Sequence, residues 1–276
     1  MKKKKILFIS QEITPYLEEN ELGRFGRYLP QGIQEDGKEI RTFMPKFGCI
    51  NERRNQLHEV IRLSGMNLII NEADHPLIIK VGSIQAARMQ VYFIDSEDFF
   101  QRKAIFHDKE SGKFFKDNDE RSIFFIRGVL ETVKKLGWVP DIIHCHGWMT
   151  SLVPLYIKTS YKKEPIFEKS KVIFSLYNND FKPALNKNFA KKAMMDEISE
   201  EAIADYKDTS FVGINKAAMN ACDAVIMASE TINPELEDYF KVIDKPKLSY
   251  QSPEDYIEAY SKFYDEVLET SEILQD

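Results

Sequence analysis

The run Ile6-Leu7-Phe8-Ile9, four apolar residues with lysines before it and Ser10-Gln11-Glu12 after it, constrains this chain more than any other feature. A strand apolar at every position, and not only at alternate ones, has no face to give to water, so it belongs inside a sheet covered on both sides. Similar runs recur at residues 40–44, 77–81, 90–94, 142–145, 172–176 and 224–227. Between several of them the spacing turns helical. Within residues 121–136, Ile123, Phe124, Ile126, Val129, Leu130, Val133 and Leu136 form a one-sided stripe, and Gly137 ends it. Parallel neighbours need long return paths, so strands alternating with helices predict an α/β chain: a single Rossmann-like, doubly wound parallel sheet. Residues 6–9 are its expected first and central strand, and residues 77–94 a small hairpin beside it.

The composition suits such a fold. In 276 residues, 43% are hydrophobic and 12% aromatic, enough for one dominant core. Acidic residues number 44 against 38 basic ones, a net charge of −6, which removes the global attraction for phosphate backbones and argues against nucleic acid. The apolar run behind the basic start is too short for a signal peptide or a membrane span. Cys49, Cys145 and Cys222 are odd in number and far apart, so a reducing, cytoplasmic address is expected instead of a disulfide framework.

Three segments stand outside the alternation. Residues 107–121 crowd ionisable side chains around Gly112 and are expected to form a mobile surface loop. Residues 182–207 read as a loop leading into a polar helix. Residues 253–274 read as a terminal helix with Ser252 as N-cap and Pro253 at its first position. Tyr256, Ile257, Tyr260, Phe263, Tyr264, Val267 and Leu268 give that helix an apolar stripe which must be docked on something.

In a doubly wound sheet ligands sit outside the carboxyl ends of the strands, which directs attention to residues 10–26, 144–151 and 177–181. Gly23-Arg24-Phe25-Gly26 offers backbone N–H groups to an anion but matches no phosphate-binding fingerprint, so a helix-start turn is the better reading. His144-Cys145-His146-Gly147-Trp148 is the densest cluster of capable side chains. His144 and His146 share a strand face, yet nothing nearby completes a metal-ligand spacing, so no metal is expected, and Cys145 reads as a small buried hydrophobe on the opposite face. Glu18, Glu19 and Glu21 are read as solvated charges ahead of an acid–base pair.

On these loops the sequence resembles the N-terminal catalytic domain of bacterial glycogen and plant starch synthases. The likeness runs through residues 6–15 and 22–30, Val91-Tyr92-Phe93-Ile94-Asp95, residues 121–130, Trp138-Val139-Pro140-Asp141-Ile142-Ile143-His144-Cys145-His146, residues 174–178 and residues 214–229. The resemblance implies a retaining glycosyltransferase using ADP-glucose, built of two Rossmann-like domains, with the first binding the glucan acceptor. Only that first domain fits here, at residues 1–249, and residues 250–276 resemble the family's last helix packed back on it, as though the second domain were deleted.

The departures fall on polar positions. Where the family has a Lys-x-Gly-Gly-Leu loop against the donor diphosphate, this chain has Glu18-Glu19-Asn20-Glu21-Leu22, so a cation has become an anion. His-Asp-Trp becomes His146-Gly147-Trp148, without the carboxylate. Thr-Ile-His-Asn becomes Ser175-Leu176-Tyr177-Asn178, without the histidine. Glu18, Gly147 and Tyr177 are thus degenerate family positions and no catalytic residue is expected, while His146, Trp148 and Asn178 remain candidate sugar contacts. The implied function is a glycogen/starch synthase-like domain of α-1,4-glucan metabolism, inactive or weakly active alone, binding a glucan or a protein partner. It needs no cofactor and no membrane. The alternative is an active glucosyltransferase with a nucleotide-sugar donor, completed by a separate donor-binding chain. A dinucleotide oxidoreductase has only the fold in its favour.

Overall fold

A computed structural model describes residues 3–273, with the side chains of residues 271–273 excepted. Met1, Lys2 and the last residues, including the expected helix end at Leu274, lie outside the described residues.

The elements follow in the order β1 (Lys5–Ser10), α1 (Glu21–Glu35), β2 (Glu39–Pro45), β3 (His58–Glu59), β4 (Met66–Ile70), β5 (Ala73–Ile84), β6 (Met89–Asp95), α2 (Asn118–Leu136), β7 (Ile142–His146), α3 (Val153–Lys158), β8 (Lys171–Leu176), α4 (Phe189–Ala193), α5 (Phe211–Ala221), β9 (Ala224–Met227), α6 (Pro234–Val242), β10 (Lys247–Leu248) and α7 (Tyr256–Ile273). Among the described residues the sheet runs β10-β9-β8-β7-β1-β2-β6-β5-β3, with β4 paired to β5 off this path. From β10 to β6 every pairing is parallel, and the hairpin β5–β6 adds the antiparallel side. The central place of β1 and the hairpin agree with the sequence reading, although β6 also joins the parallel sheet through β2.

The two faces of β1 explain its unbroken apolar run. Leu7 and Ile9 enter one core with Phe43, Phe93, Ile143, Cys145 and Phe174. Ile6 and Phe8 enter the other with Leu29 and Ile33 of α1 and with Tyr260, Phe263, Tyr264 and Val267 of α7. Moving such side chains out of water is worth roughly 1.5–3 kcal/mol each, so α7 is held down firmly by its aromatic stripe. The helix begins at Tyr256, three residues after Pro253. Ser252 instead closes a turn, its carbonyl accepting from the Asp255 and Tyr256 N–H groups and its hydroxyl bonding the Asp255 carboxylate at 2.8 Å.

Other boundaries differ in the same local way. α2 starts at Asn118, and Arg121 is fully buried, its guanidinium donating to the Phe99 carbonyl at 2.9 Å and the Ile105 carbonyl at 2.6 Å. The charged segment before it is anchored by a bridge between His107 and Phe114. Residues 182–207 hold only the short α4 and a 3-10 turn at Ala204–Lys207, not an extended polar helix.

Candidate functional site

Parallel pairing brings the carboxyl ends of β1, β7 and β8 side by side, with Ser10 opposite His146 and His146 opposite Ser175. Their following loops meet over the start of α1. His146 is buried, with Nδ1 2.6 Å from the Tyr177 hydroxyl and Nε2 without a hydrogen-bond partner. The His144 ring lies 3.9 Å away between centroids, its Nδ1 2.7 Å from the Tyr264 hydroxyl of α7 and its Nε2 2.7 Å from the Ser175 hydroxyl. Burial pulls His146 down to about 3 and His144 well below the ordinary imidazole range, where the neighbouring His146 adds to the effect. Burial likewise pushes the Tyr177 phenol far up, assisted by Tyr260 and Glu21. All three are neutral at pH 7. Cys145 points to the other face, where burial and then Cys222 keep it a thiol.

The position before Trp148 is occupied space. Gly147 has φ +89°, and a Cβ there would stand 2.8 Å from Gln11 Oε1, 2.9 Å from Gln11 Cβ and 2.9 Å from Leu22 Cδ1. Gln11 is fixed by its N–H on the His146 carbonyl at 3.0 Å and by its amide on the Glu12 carboxylate at 3.0 Å. A carboxylate-bearing residue at 147 meets both a left-handed backbone and filled room.

The acidic loop is ordered around Asn20. Its Oδ1 caps α1 by accepting the Gly23 N–H at 2.7 Å, and its amide donates to the Glu12 carboxylate at 2.5 Å. The Gly23 N–H is therefore taken by the cap. Gly26 has a different task, since a Cβ there would sit 2.5 Å from the Glu12 carbonyl, so one glycine takes the cap and the other lets α1 pack closely on the segment after β1. Glu18 and Glu19 are exposed, Glu19 lying 3.5 Å from Arg24, whereas the Glu21 carboxylate accepts from the Ser229 hydroxyl. Acids at this end are favoured by the helix dipole.

Of the candidate sugar contacts, Asn178 is exposed, with its backbone N–H on the Ser229 hydroxyl at 3.0 Å. His146 and Trp148 are not. Trp148 is 2% exposed and packs between Phe106, 5.0 Å away, and Phe181, 4.8 Å away, centroid to centroid. The structure thus joins His146, Gly147 and Tyr177 into one closed patch, with the exposed Asn178 next to Tyr177 in the chain, and leaves Glu18 exposed on the loop before α1. Sequence reasoning missed Gln11, Glu12, Asn20 and Ser229. Two of them carried a signal: Asn20 is an N-cap type just before the helix, and Ser229 follows a strand end like the loops already searched.

Beside this patch lies an open groove of about 720 Å³ between the start of α1 and the segment entering α7, with Arg24, Phe25, Tyr28, Tyr250, Gln251 and Tyr256 on its walls. No group of three or more His, Cys, Asp or Glu side chains able to hold a metal occurs among the described residues, and none of their helices is long and apolar enough to cross a membrane.

The loops thus converge at the carboxyl ends of the central parallel strands, and comparison with known proteins gives the class of this α/β domain. Residues 5–244 match the starch synthase catalytic domain, and the chain belongs to that family. Glycogen synthase of Chlorobium luteolum is 35% identical over 234 residues, covering 84% of this chain and 48% of that protein, and glycogen synthase of Chlorobaculum tepidum is 35% identical over 248 residues, covering 89% and 49%. The chain therefore spans about half the length of these curated relatives. Among solved structures, the catalytic domain of starch synthase IV from Arabidopsis thaliana, bound to ADP and acarbose, shares the fold with a TM-score of 0.74 at 18% identity, covering 91% of this chain and 52% of that one.

Proposed function

We propose that this chain is a glycogen-synthase-like domain with little or no glucosyl transfer of its own, acting by holding an α-glucan. Residues 1–249 are its family domain, and residues 250–276 its returning segment, which holds the helix Tyr256–Ile273. The observation that carries this reading is the closed patch: Tyr177 bonded to His146, with Gln11 and Leu22 in the room a side chain at 147 would need. Retaining transfer calls for charge opposite a developing oxocarbenium and a cation on the leaving diphosphate. Here the imidazoles and phenol are neutral, and the nearby loop carries Glu18, Glu19 and Glu21.

The glucan surface in this reading is the open groove, whose walls carry Tyr28, 47% exposed, Tyr250 and Tyr256 beside the polar Arg24 and Gln251. Sugar rings pack their apolar faces on such aromatics while hydroxyls reach the polar rim. The test has two arms. Incorporation of labelled glucose from ADP-glucose into glycogen by the pure chain is expected to stay at background, and robust turnover would refute the reading. Maltoheptaose is expected to bind and to lose at least several-fold affinity in Tyr28→Ala; no binding would leave a protein partner in polysaccharide metabolism. Turnover appearing only on addition of a separate donor-binding chain would favour the alternative of a two-chain glucosyltransferase.

A further inference from the structure

At the opposite end of the sheet, where β2 and β6 begin, a cavity of about 330 Å³ is lined by Gln34, Ile40, Arg41, Arg88, Gln90 and Tyr92. We propose that it is a binding site for a phosphate-type oxyanion, taken up as inorganic phosphate or as the phosphate group of a small sugar phosphate. The proposal is independent of the glucan reading, because strand direction places it across the sheet from the closed patch.

Arg41 is built in. Its guanidinium lies 5.7 Å from the Tyr92 ring centroid and 5.3 Å from that of Trp138, and Nη1 donates to the Tyr92 hydroxyl at 2.7 Å. Nε is buried without a partner. Neither Arg41 nor Arg88 forms an ion pair among the described residues, in a chain of net charge −6. The carboxylates close by in sequence are engaged elsewhere: Glu35 accepts from Gln31, Asp36 from Ser261 and Lys38, and Glu39 from the Trp138 indole at 2.5 Å. Two arginines, two glutamines and a tyrosine thus line a volume near the lower end of small-ligand sites, roughly 300 Å³. Guanidinium matches tetrahedral oxyanions by paired N–H donors.

Arg88 supplies the decisive variant. It stands in left-handed backbone, φ +50°, at the turn joining β5 to β6, a position glycine prefers. Arg88→Gly therefore removes the charge without harming the fold.

The experiment follows thermal unfolding and calorimetric titration of the full chain with inorganic phosphate and, separately, with glucose 6-phosphate, against sodium chloride of equal ionic strength. One saturable site is expected for at least one ligand, with Tm rising with its concentration and at least tenfold weaker binding in Arg88→Gly and in Arg41→Gln. At least tenfold preference for the sugar phosphate identifies a monoester as the source, and equal affinity identifies the free ion. A Tm response no greater than that of chloride, or unchanged binding in Arg88→Gly, overturns the proposal.

Discussion

The two ends of the parallel sheet have opposite characters. At the carboxyl end, where proteins of this architecture do their chemistry, β1, β7 and β8 finish under Tyr177, Gln11 and Leu22, and neutral rings bond one another. At the amino end, which the fold ordinarily leaves to stability, two arginines without carboxylate partners face a cavity. The difference teaches that a scaffold and its site change under separate constraints. The apolar registers of β1, β7 and β8 satisfy packing on both faces and are indifferent to what the loops carry. The loops answer to charge and space alone.

The strongest way to break the contrast is to reopen the carboxyl end. Gly147→Asp, which restores the carboxylate of the family motif, meets a positive φ and three contacts under 3 Å, so it should cost about 2–4 kcal/mol in urea unfolding. Wild-type stability in that variant would show the patch to be open. A second probe uses pH. The folded-state pKa values of His144 and His146 lie below that of an unfolded imidazole, near 6.5. Between those values the unfolded chain binds protons that the folded one refuses, so stability is full above pH 6.5 and falls as pH drops. The slope should be about 1.4 kcal/mol per pH unit for each imidazole. Urea midpoints at pH 7, 6 and 5 check the sign, and His144→Gln should flatten the slope. The smallest effect sharpens the picture of the acidic loop: Asn20→Ala removes the cap on the Gly23 N–H and should lower stability by about 1 kcal/mol, readable as a shift in urea midpoint.

Much of this was legible beforehand at the level of elements. The unbroken run of residues 6–9 announced a doubly covered strand, and the aromatic stripe from Tyr256 onward announced a docked helix, because both patterns express burial directly. The start of α7 was not legible, since Ser252 and Pro253 fit a helix entry as well as the turn they form. The site was legible only as a set of replaced residues. Trp148, a candidate sugar contact by its motif, is packed between Phe106 and Phe181, residues 42 and 33 positions away.

By itself the sequence determined the parallel sheet, the central strand and the sign of the loop at Glu18, because hydrophobic period and formal charge are local properties of the chain. The tertiary structure decided that Tyr177 turns onto His146, that Gln11 closes the space beside Gly147, and that Arg41 and Arg88 line one pocket with no carboxylate among its walls. These outcomes depend on which distant side chains share a volume. No local pattern encodes that, because close packing lets only one of many compatible neighbours occupy each place.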